Sequence, residues 1–541
     1  MIAAVTEVLD RRPASAAATA PIAAPPRSLR ILRVRRSHLV AAALGLVVAL
    51  AAVLRFRGLG HQGLWYDEAV TGWLVRAPLG QMLEVLPRSE STPPLYYVLA
   101  WLWVRALGDT DVGLRSLSAL AGVLTVPVAF AAARNLATTR VALVAALLVA
   151  VSPQLVWYGQ EARCYALLVL TTTVALWLWT RARARPTWGR LMAWGATAAV
   201  ALTTHYFAVF AVLPQALLVL ADRRAPVLRR AAAVAVPAAA GVALTGMAQA
   251  QRATHHYWFA DGSLRRRVAQ IATQWLAGFT PPAGHVAILV AALAAGAGLV
   301  LLALRSGAAE RRGAAVAGLV AACAVGLPVA LAVAGRDFVD ARNLLSGLVP
   351  CAIVVAAGLG AARARVAGPL AAGVLVGVSL GMIVAMARDP LAQRGPWKHV
   401  ATALAAQKGR HAILIRGSRT WGTVLTFYLP RTWWVPPDGA RVREIDVLRR
   451  IATPHDCAGT TWWGATCDLG PRSAPRRAPA HGFRRGGAER VAGFEIVHYR
   501  ARHPVRVYAH TPLDRPHSPR RSPHHQALLT PTRPVLPGSG L

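Results

Sequence analysis

From about residue 39 to residue 387 the chain alternates apolar runs, each roughly long enough to cross a bilayer as a helix, with short arginine-bearing segments. No Asp or Glu lies inside these runs. Only 15% of all residues are charged, against roughly a quarter in soluble domains. An ordinary water-soluble enzyme is therefore excluded. The formal net charge of +37 comes almost entirely from Arg. So basic a chain could suggest nucleic acid. The arginines, however, cluster between apolar runs, as they do on the cytoplasmic side of membrane proteins, so no nucleic-acid partner is expected.

The runs predict a first span at 39–54, then spans at 113–133, 141–157, 164–180, 191–204, 206–221, 231–247, 285–304, 314–334, 344–361 and 366–387. The apolar segment 94–107 is short and interrupted by Arg105. If it crossed, the arginine clusters at 181–190, 222–230 and 305–313 would all fall outside. The positive-inside rule makes it an interfacial helix instead, with Trp101 and Trp103 at headgroup depth. The expected architecture is an all-α polytopic membrane protein of about eleven transmembrane helices, with a small C-terminal extracytoplasmic α/β domain. Its parts are a disordered basic cytoplasmic arm over 1–37, a transmembrane catalytic domain over 38–387, the α/β domain over 388–500 and a disordered tail over 501–541. The N-terminus is expected inside the cell membrane and the C-terminal domain outside.

Within the C-terminal domain, 395–407 reads as an amphipathic helix, while 411–416, 424–429 and 494–500 read as strands. Residues 471–490 read as a linker or long loop. Of five cysteines, Cys164, Cys323 and Cys351 lie in or beside apolar runs and read as packing residues. Cys457 and Cys467 would suit a disulfide in an exported segment.

Because the spans lack carboxylates, a proton- or ion-coupled transporter is disfavoured. The acids gather instead in the first outer loop, 55–112, as Asp67, Glu68, Glu84, Glu90, Asp109 and Asp111. In Gly63-Leu64-Trp65-Tyr66-Asp67-Glu68-Ala69, a carboxylate flanked by aromatics at a membrane surface suits proton abstraction from a hydroxyl. The alternative is that Asp67 caps a helix and Glu68 sits in its first turn. In Gly159-Gln160-Glu161-Ala162-Arg163-Cys164-Tyr165, a hairpin too short to leave the bilayer face holds Arg163 at phosphate depth. Neutralisation by Glu161 is the alternative. Thr204-His205-Tyr206-Phe207 forms another tight outer turn, where a lone His is commonly structural. Arg336, Asp337, Asp340 and Arg342 fill a fourth turn, either pairing with each other or binding phosphate.

Those motifs, with Thr92-Pro93-Pro94-Leu95-Tyr96-Tyr97, Gly113-Leu114-Arg115-Ser116-Leu117-Ser118 and Ala341-Arg342-Asn343-Leu344, resemble the bacterial protein O-mannosyltransferase-like membrane glycosyltransferases (glycosyltransferase family 39, dolichyl-phosphate-mannose mannosyltransferase-like), over about 40–360. Thr92 stands where relatives often carry His, and Arg342-Asn343 where they carry Arg-Tyr. The resemblance implies the GT-C fold and a polyprenyl-phosphate sugar donor, with mannose the sugar expected. It implies Asp67 as catalytic base with Glu68 beside it. Arg163 and Arg342 would bind the donor phosphate, and Glu161, His205, Tyr96 and Arg115 would line the site. The acceptor could be a protein, glycolipid or polysaccharide hydroxyl, with membrane lipid as the surrounding partner. Some relatives use a divalent cation; no ligand spacing here assigns one, and no other cofactor is implied. The alternative function is a transporter or flippase of lipid-linked sugars.

Overall fold

A computed structural model describes residues 27–254, 262–278, 284–389, 394–407, 411–416, 419–436, 438–451, 480–508 and 526–531. The chain divides into two compact units. One comprises Met1–Leu59, Leu83–Leu107 and Gly113–Arg388; the other joins Gly60–Met82 and Gly108–Val112 to Asp389–Leu541.

The first unit is helical. Among the described residues, seven helices are long and apolar enough to cross a membrane: Ser37–Phe56, Asp111–Leu136, Tyr165–Ala184, Val227–Thr254, Gly284–Arg305, Ala308–Val333 and Ala367–Arg388. The pair Thr139–Val151 and Pro153–Gly159, bent by 56°, makes an eighth if taken as one broken span. This is a multi-pass membrane protein with fewer full-length spans than the eleven expected. The runs at 191–204, 206–221 and 344–361 became helices of 17, 14 and 12 residues, Trp188–Thr204, Ala208–Ala221 and Leu348–Leu359. At 1.5 Å per residue these fall short of a hydrocarbon core of about 30 Å. Leu95–Leu107, with 13 residues, is shorter still than that thickness. The first helix begins at Arg27, inside the segment expected as an arm.

The break at 152 is written in the sequence. Pro153 has no N–H to continue the preceding helix, and it disfavours helical backbone at Ser152. Ser152 instead caps the second piece, its hydroxyl accepting from the Leu155 N–H at 3.4 Å. The orphaned carbonyls on the other side are met by Arg55. Its guanidinium, fully buried, donates to the Ala150 oxygen at 2.9 Å and the Val149 oxygen at 3.1 Å. A charge near the end of the helix Ser37–Phe56 is thus explained by helix carbonyls that lack partners.

Elsewhere helices approach at glycine. A Cβ at Gly358 would overlap the Gly298 carbonyl of the helix Gly284–Arg305. Small residues allow such close contact between membrane helices, where packing rather than water exclusion drives association.

The second unit carries a six-stranded sheet in the order β2-β6-β1-β3-β5-β4. Its strands are β1 (His411–Arg416), β2 (Trp433–Trp434), β3 (Ala440–Arg450), β4 (Phe483–Val491), β5 (Phe494–Val507) and β6 (Gln526–Thr530). β1 and β3 are parallel, and the remaining pairs are antiparallel. The helix expected over 395–407 is present as Trp397–Ala406. The strand expected at 424–429 is instead part of the helix Arg419–Tyr428. Its β-branched and aromatic residues imitate a strand, yet two parallel neighbours need a crossover, and a helix supplies it. The periodicity agrees: Trp421, Val424, Leu425 and Tyr428 follow i, i+3, i+4, i+7. Two further expectations change. β4 lies, all but Val491, within the stretch read as linker or loop, and β5 and β6 lie partly and wholly, respectively, in the stretch read as a disordered tail. Cys457 and Cys467 lie outside the described residues.

Replacing Gly358 by Ala should cost about 1–3 kcal/mol through overpacking, read as a lowered thermal midpoint in detergent. Gly296→Ala, on the same facing helix with open space around its Cβ, should leave the midpoint unchanged.

Candidate functional site

The turn that joins Pro153–Gly159 to Tyr165–Ala184 buries both Glu161 and Arg163. Arg163 donates to the Glu90 carboxylate at 2.6 Å, with each side chain 5% exposed. Its carbonyl accepts from Ser118 Oγ at 3.1 Å, and Ser118 in turn lies 3.2 Å from the Tyr96 hydroxyl. The Arg163 guanidinium also sits 6.0 Å from the Tyr97 ring, whose hydroxyl meets Thr92 Oγ1 at 3.0 Å. Tyr96, Glu90 and Arg163 thus belong to one buried network. Arg115, by contrast, is spent on the Leu59 carbonyl at 2.7 Å.

A second basic turn is held from below. Arg267, on the helix Leu264–Ala277, grips Asp337 through both carboxylate oxygens and donates to the Val339 carbonyl at 2.7 Å. Asp337 also accepts from the Val339 N–H at 3.0 Å. The guanidinium hydrogen bonds hold the Asp337 carboxyl below the usual carboxylate range. Asp340 then accepts from the Arg342 N–H at 3.1 Å and pairs with its Nε at 3.3 Å. Arg342 lies 6.0 Å from the Tyr165 ring. Asp340 thus pairs within the turn, whereas Asp337 is taken by Arg267 from outside it rather than by Arg336 or Arg342.

His205 stands where the two basic turns act together. Its ring is 5.8 Å from Tyr165 and 5.1 Å from Phe207, and it is 1% exposed. Burial first, then Arg163 and Arg342, push its pKa down to about 3, so the imidazole is neutral at physiological pH. Nδ1 accepts from the Phe207 N–H at 3.2 Å, a bond that assigns the proton to Nε2. Nε2 is buried without a hydrogen-bond partner among the described residues. A donor beside two guanidiniums is what an anionic oxygen would satisfy.

An apolar groove of about 420 Å³ is lined by Tyr206, the residue that follows His205. It runs among the helices Trp188–Thr204, Ala208–Ala221 and Val227–Thr254, with Leu202, Val212 and Pro237 in its walls. Apart from Tyr206 and Thr245, its lining is aliphatic, proline or glycine. Tyr206 donates to Gln251 Oε1 at 2.7 Å, and Gln251 Nε2 donates to the Thr92 carbonyl at 3.0 Å. The groove's polar end is therefore wired to the segment that supplies Glu90.

Asp67 and Glu68 belong to the second unit, in the helix Tyr66–Arg76. Glu68 is fully buried, accepts from the Trp65 N–H at 3.3 Å and pairs with Arg394 at 3.8 Å. The alternative reading gave the cap to Asp67; instead Trp65 is at the N-cap position, and Glu68, in the first turn as expected, makes the capping bond. Asp67 is half-buried beside it. The entry to this helix is tied down by Tyr428, whose hydroxyl accepts from the Leu64 N–H at 2.8 Å and bonds Asp111 at 2.9 Å. Its far end is held by Arg76, 3.8 Å from the Phe427 ring centroid and 2.7 Å from Asp109. Among the described residues no group of three or more His, Cys, Asp or Glu is arranged to hold a metal ion.

Sequence reading singled out Arg163, Arg342 and His205, which the fold brings into one network, but gave Glu90, Gln251 and Arg267 no role. No spacing rule links Glu90 to a residue 73 positions away. Only the closed fold pairs them.

Residues 91–247 match the family described as dolichyl-phosphate-mannose-protein mannosyltransferase. This is the family that the motifs resemble. Similar solved structures include a protein O-mannosyltransferase complex of S. cerevisiae bound to its sugar donor, at 18% identity over 39% of this chain and 32% of that one, TM-score 0.30. Another is the oligosaccharyltransferase AglB of Archaeoglobus fulgidus with an inhibitory peptide and a dolichol-phosphate, at 13% identity, 69% and 58% coverage and TM-score 0.45. ArnT of Cupriavidus metallidurans, bound to undecaprenyl phosphate, gives 16% identity, 84% and 97% coverage and TM-score 0.40. The chain spans about a third of the first and under three-fifths of the second. No protein of curated function matches.

Breaking the buried pair by Glu90→Ala or Arg163→Ala should each cost about 3–5 kcal/mol, because a desolvated charge is left behind. The double variant should lose less than the sum, which a double-mutant cycle by thermal unfolding measures. For Asp337 the sign follows from its lowered native pKa. The clamp's stabilisation is fully present above the unfolded carboxylate value of about 3.9 and is lost as pH falls through the native value. The gap in thermal midpoint between wild type and Asp337→Asn should be constant from neutral pH down to about pH 5, then shrink at lower pH.

Proposed function

We propose that the protein is a membrane glycosyltransferase of the GT-C type that moves a sugar, mannose by its family match, from a polyprenyl-phosphate donor to an acceptor hydroxyl. The reaction takes place on the outer face of the cell membrane, with the N-terminus cytoplasmic and the C-terminal domain outside. The observation that carries this reading is the buried Arg163 and half-buried Arg342 acting on His205, whose Nε2 has no hydrogen-bond partner among the described residues, with the next residue, Tyr206, lining an apolar groove. Phosphate oxygens match the cationic end. An isoprenoid chain matches the aliphatic one. The family match over residues 91–247 supports the same class.

The mechanism follows from that chemistry. Asp67 accepts the proton of the acceptor hydroxyl as its oxygen bonds to the anomeric carbon. The bond from that carbon to the phosphate oxygen breaks on the opposite side, with inversion. The departing phosphate is stable as an anion, so no general acid is needed, and Arg163 and Arg342 stabilise its growing charge. His205 donates Nε2–H to a phosphate oxygen as a neutral imidazole. Glu68 keeps the helix start in place through its bond to Trp65, and Tyr96 supports Arg163 through Ser118. The acceptor belongs to a protein, a glycolipid or a polysaccharide.

Membranes given labelled polyprenyl-phosphate mannose should label an extracted acceptor fraction. Asp67→Asn should slow that transfer by about 10²–10⁴-fold, the usual contribution of a general base, while donor binding persists. Arg342→Ala should weaken donor binding as well as transfer. Translocation of the donor with no transfer in wild-type membranes would overturn the assignment.

A further inference from the structure

The sheet of the second unit has one face committed to its core; the other buries Leu448, Phe494 and Ile496 at one end and exposes a cluster of arginines at the other. Val497, Tyr499, Ala501, Val505 and Val507, the odd-numbered positions of β5, pack into the core. Strand alternation turns Arg500, Arg502 and Arg506 to the opposite side, and all three are exposed. In the strand register, Arg484 of β4 lies directly opposite Arg500, and Arg441 of β3 directly opposite Arg506. Both are exposed as well.

Like charges directly opposite each other across strands destabilise a sheet. Acids do stand on this face, Glu444 opposite Arg500 and Asp446 opposite His498, yet the register also sets two arginine pairs directly against each other. Glu444 reaches Arg500 at 3.1 Å. Arg441, Arg484, Arg502 and Arg506 have no acidic partner among the described residues. The repulsion would be relieved by a multivalent array of anions matching arginines spaced about 7 Å apart along a strand.

One such array is always within reach. The last long apolar helix ends at Arg388, and the first helix of this unit opens at Trp397. The intervening residues span at most about 30 Å when extended. We propose that this arginine face binds the phosphate headgroups of anionic phospholipids in the membrane that the chain itself spans. Guanidinium suits this role because its planar fork meets phosphate oxygens two at a time.

The test uses the full-length chain in nanodiscs of phosphatidylcholine alone or mixed with phosphatidylglycerol. The rate at which phenylglyoxal modifies each arginine is read by peptide mass spectrometry. Arg441, Arg484, Arg500, Arg502 and Arg506 should react at least about fivefold more slowly with phosphatidylglycerol present, the ratio expected for one basic side chain at an anionic surface. High salt should abolish the protection, and the exposed Arg431, outside this face, should show none. Replacing Arg502 and Arg506 together by Glu should remove the protection at Arg441 and Arg484 without lowering the thermal midpoint. Equal rates in the two kinds of disc would overturn the proposal. So would protection in phosphatidylcholine discs by soluble polyphosphate with none from phosphatidylglycerol, which would assign the face to a soluble polyanion.

Discussion

The pairing of Arg163 with Glu90 organises the membrane unit around a desolvated charge. A guanidinium taken out of water is tolerated only where a carboxylate and further hydrogen bonds replace the solvent it lost. Here the carboxylate comes from the end of the helix Leu79–Ser89 and the guanidinium from a turn between two helices. Ser118, Tyr96 and Tyr97 complete the surroundings. Because the pair is buried, it restricts where the 160–164 turn can lie, and so where the second guanidinium and the imidazole can meet it. The depressed basicity of His205 reports the same crowding of positive charge. A neutral His between two cations is poised to donate a hydrogen bond rather than to carry a proton away.

The Asp67–Glu68 segment follows a different logic. Its helix Tyr66–Arg76 is built into the sheet-bearing unit, clasped by Tyr428, Phe427 and Arg394. Gly72 lies against the Phe427 ring, where any side chain would collide. Two carboxylates adjacent in sequence are separated by this packing into different tasks. Glu68 is consumed at the helix N-terminus, and Asp67 is left half-buried on the neighbouring position. The C-terminal domain is thus part of how the Asp67 segment holds its shape, rather than an appendage.

In the membrane unit, polar groups answer the helix interruption at residues 152 and 153. Ser152 and Pro153 break one run, and Arg55 answers the carbonyls that the break exposes. Bilayer interiors supply no water for such groups, so the partner must come from the protein. The same reasoning explains why helices shorter than the bilayer persist beside long ones. They are supported by neighbours and need not cross alone.

Much of this was legible in sequence. Uninterrupted apolar runs dictate membrane helices whatever their neighbours, because the backbone must satisfy itself locally. The arginine turns and the Trp-Tyr-Asp-Glu motif announced themselves by residue type at the ends of those runs. What reading in one dimension missed shares a cause. Residues 424–428 carry strand-like side chains but became a helix because β1 and β3 are parallel. The charged run 440–450 and the late strand at 526–530 joined a sheet because partners far along the chain offered them edges. Glu90 found Arg163, and Gln251 found Thr92, across separations that no local pattern encodes. The sequence by itself determined a multi-pass membrane protein with acids and arginines at its helix ends, since hydrophobicity and charge act on each segment alone. Only the tertiary structure decided which acid serves packing and which cation meets which partner, because hydrogen bonds and desolvation depend on what the closed fold places within about 3 Å.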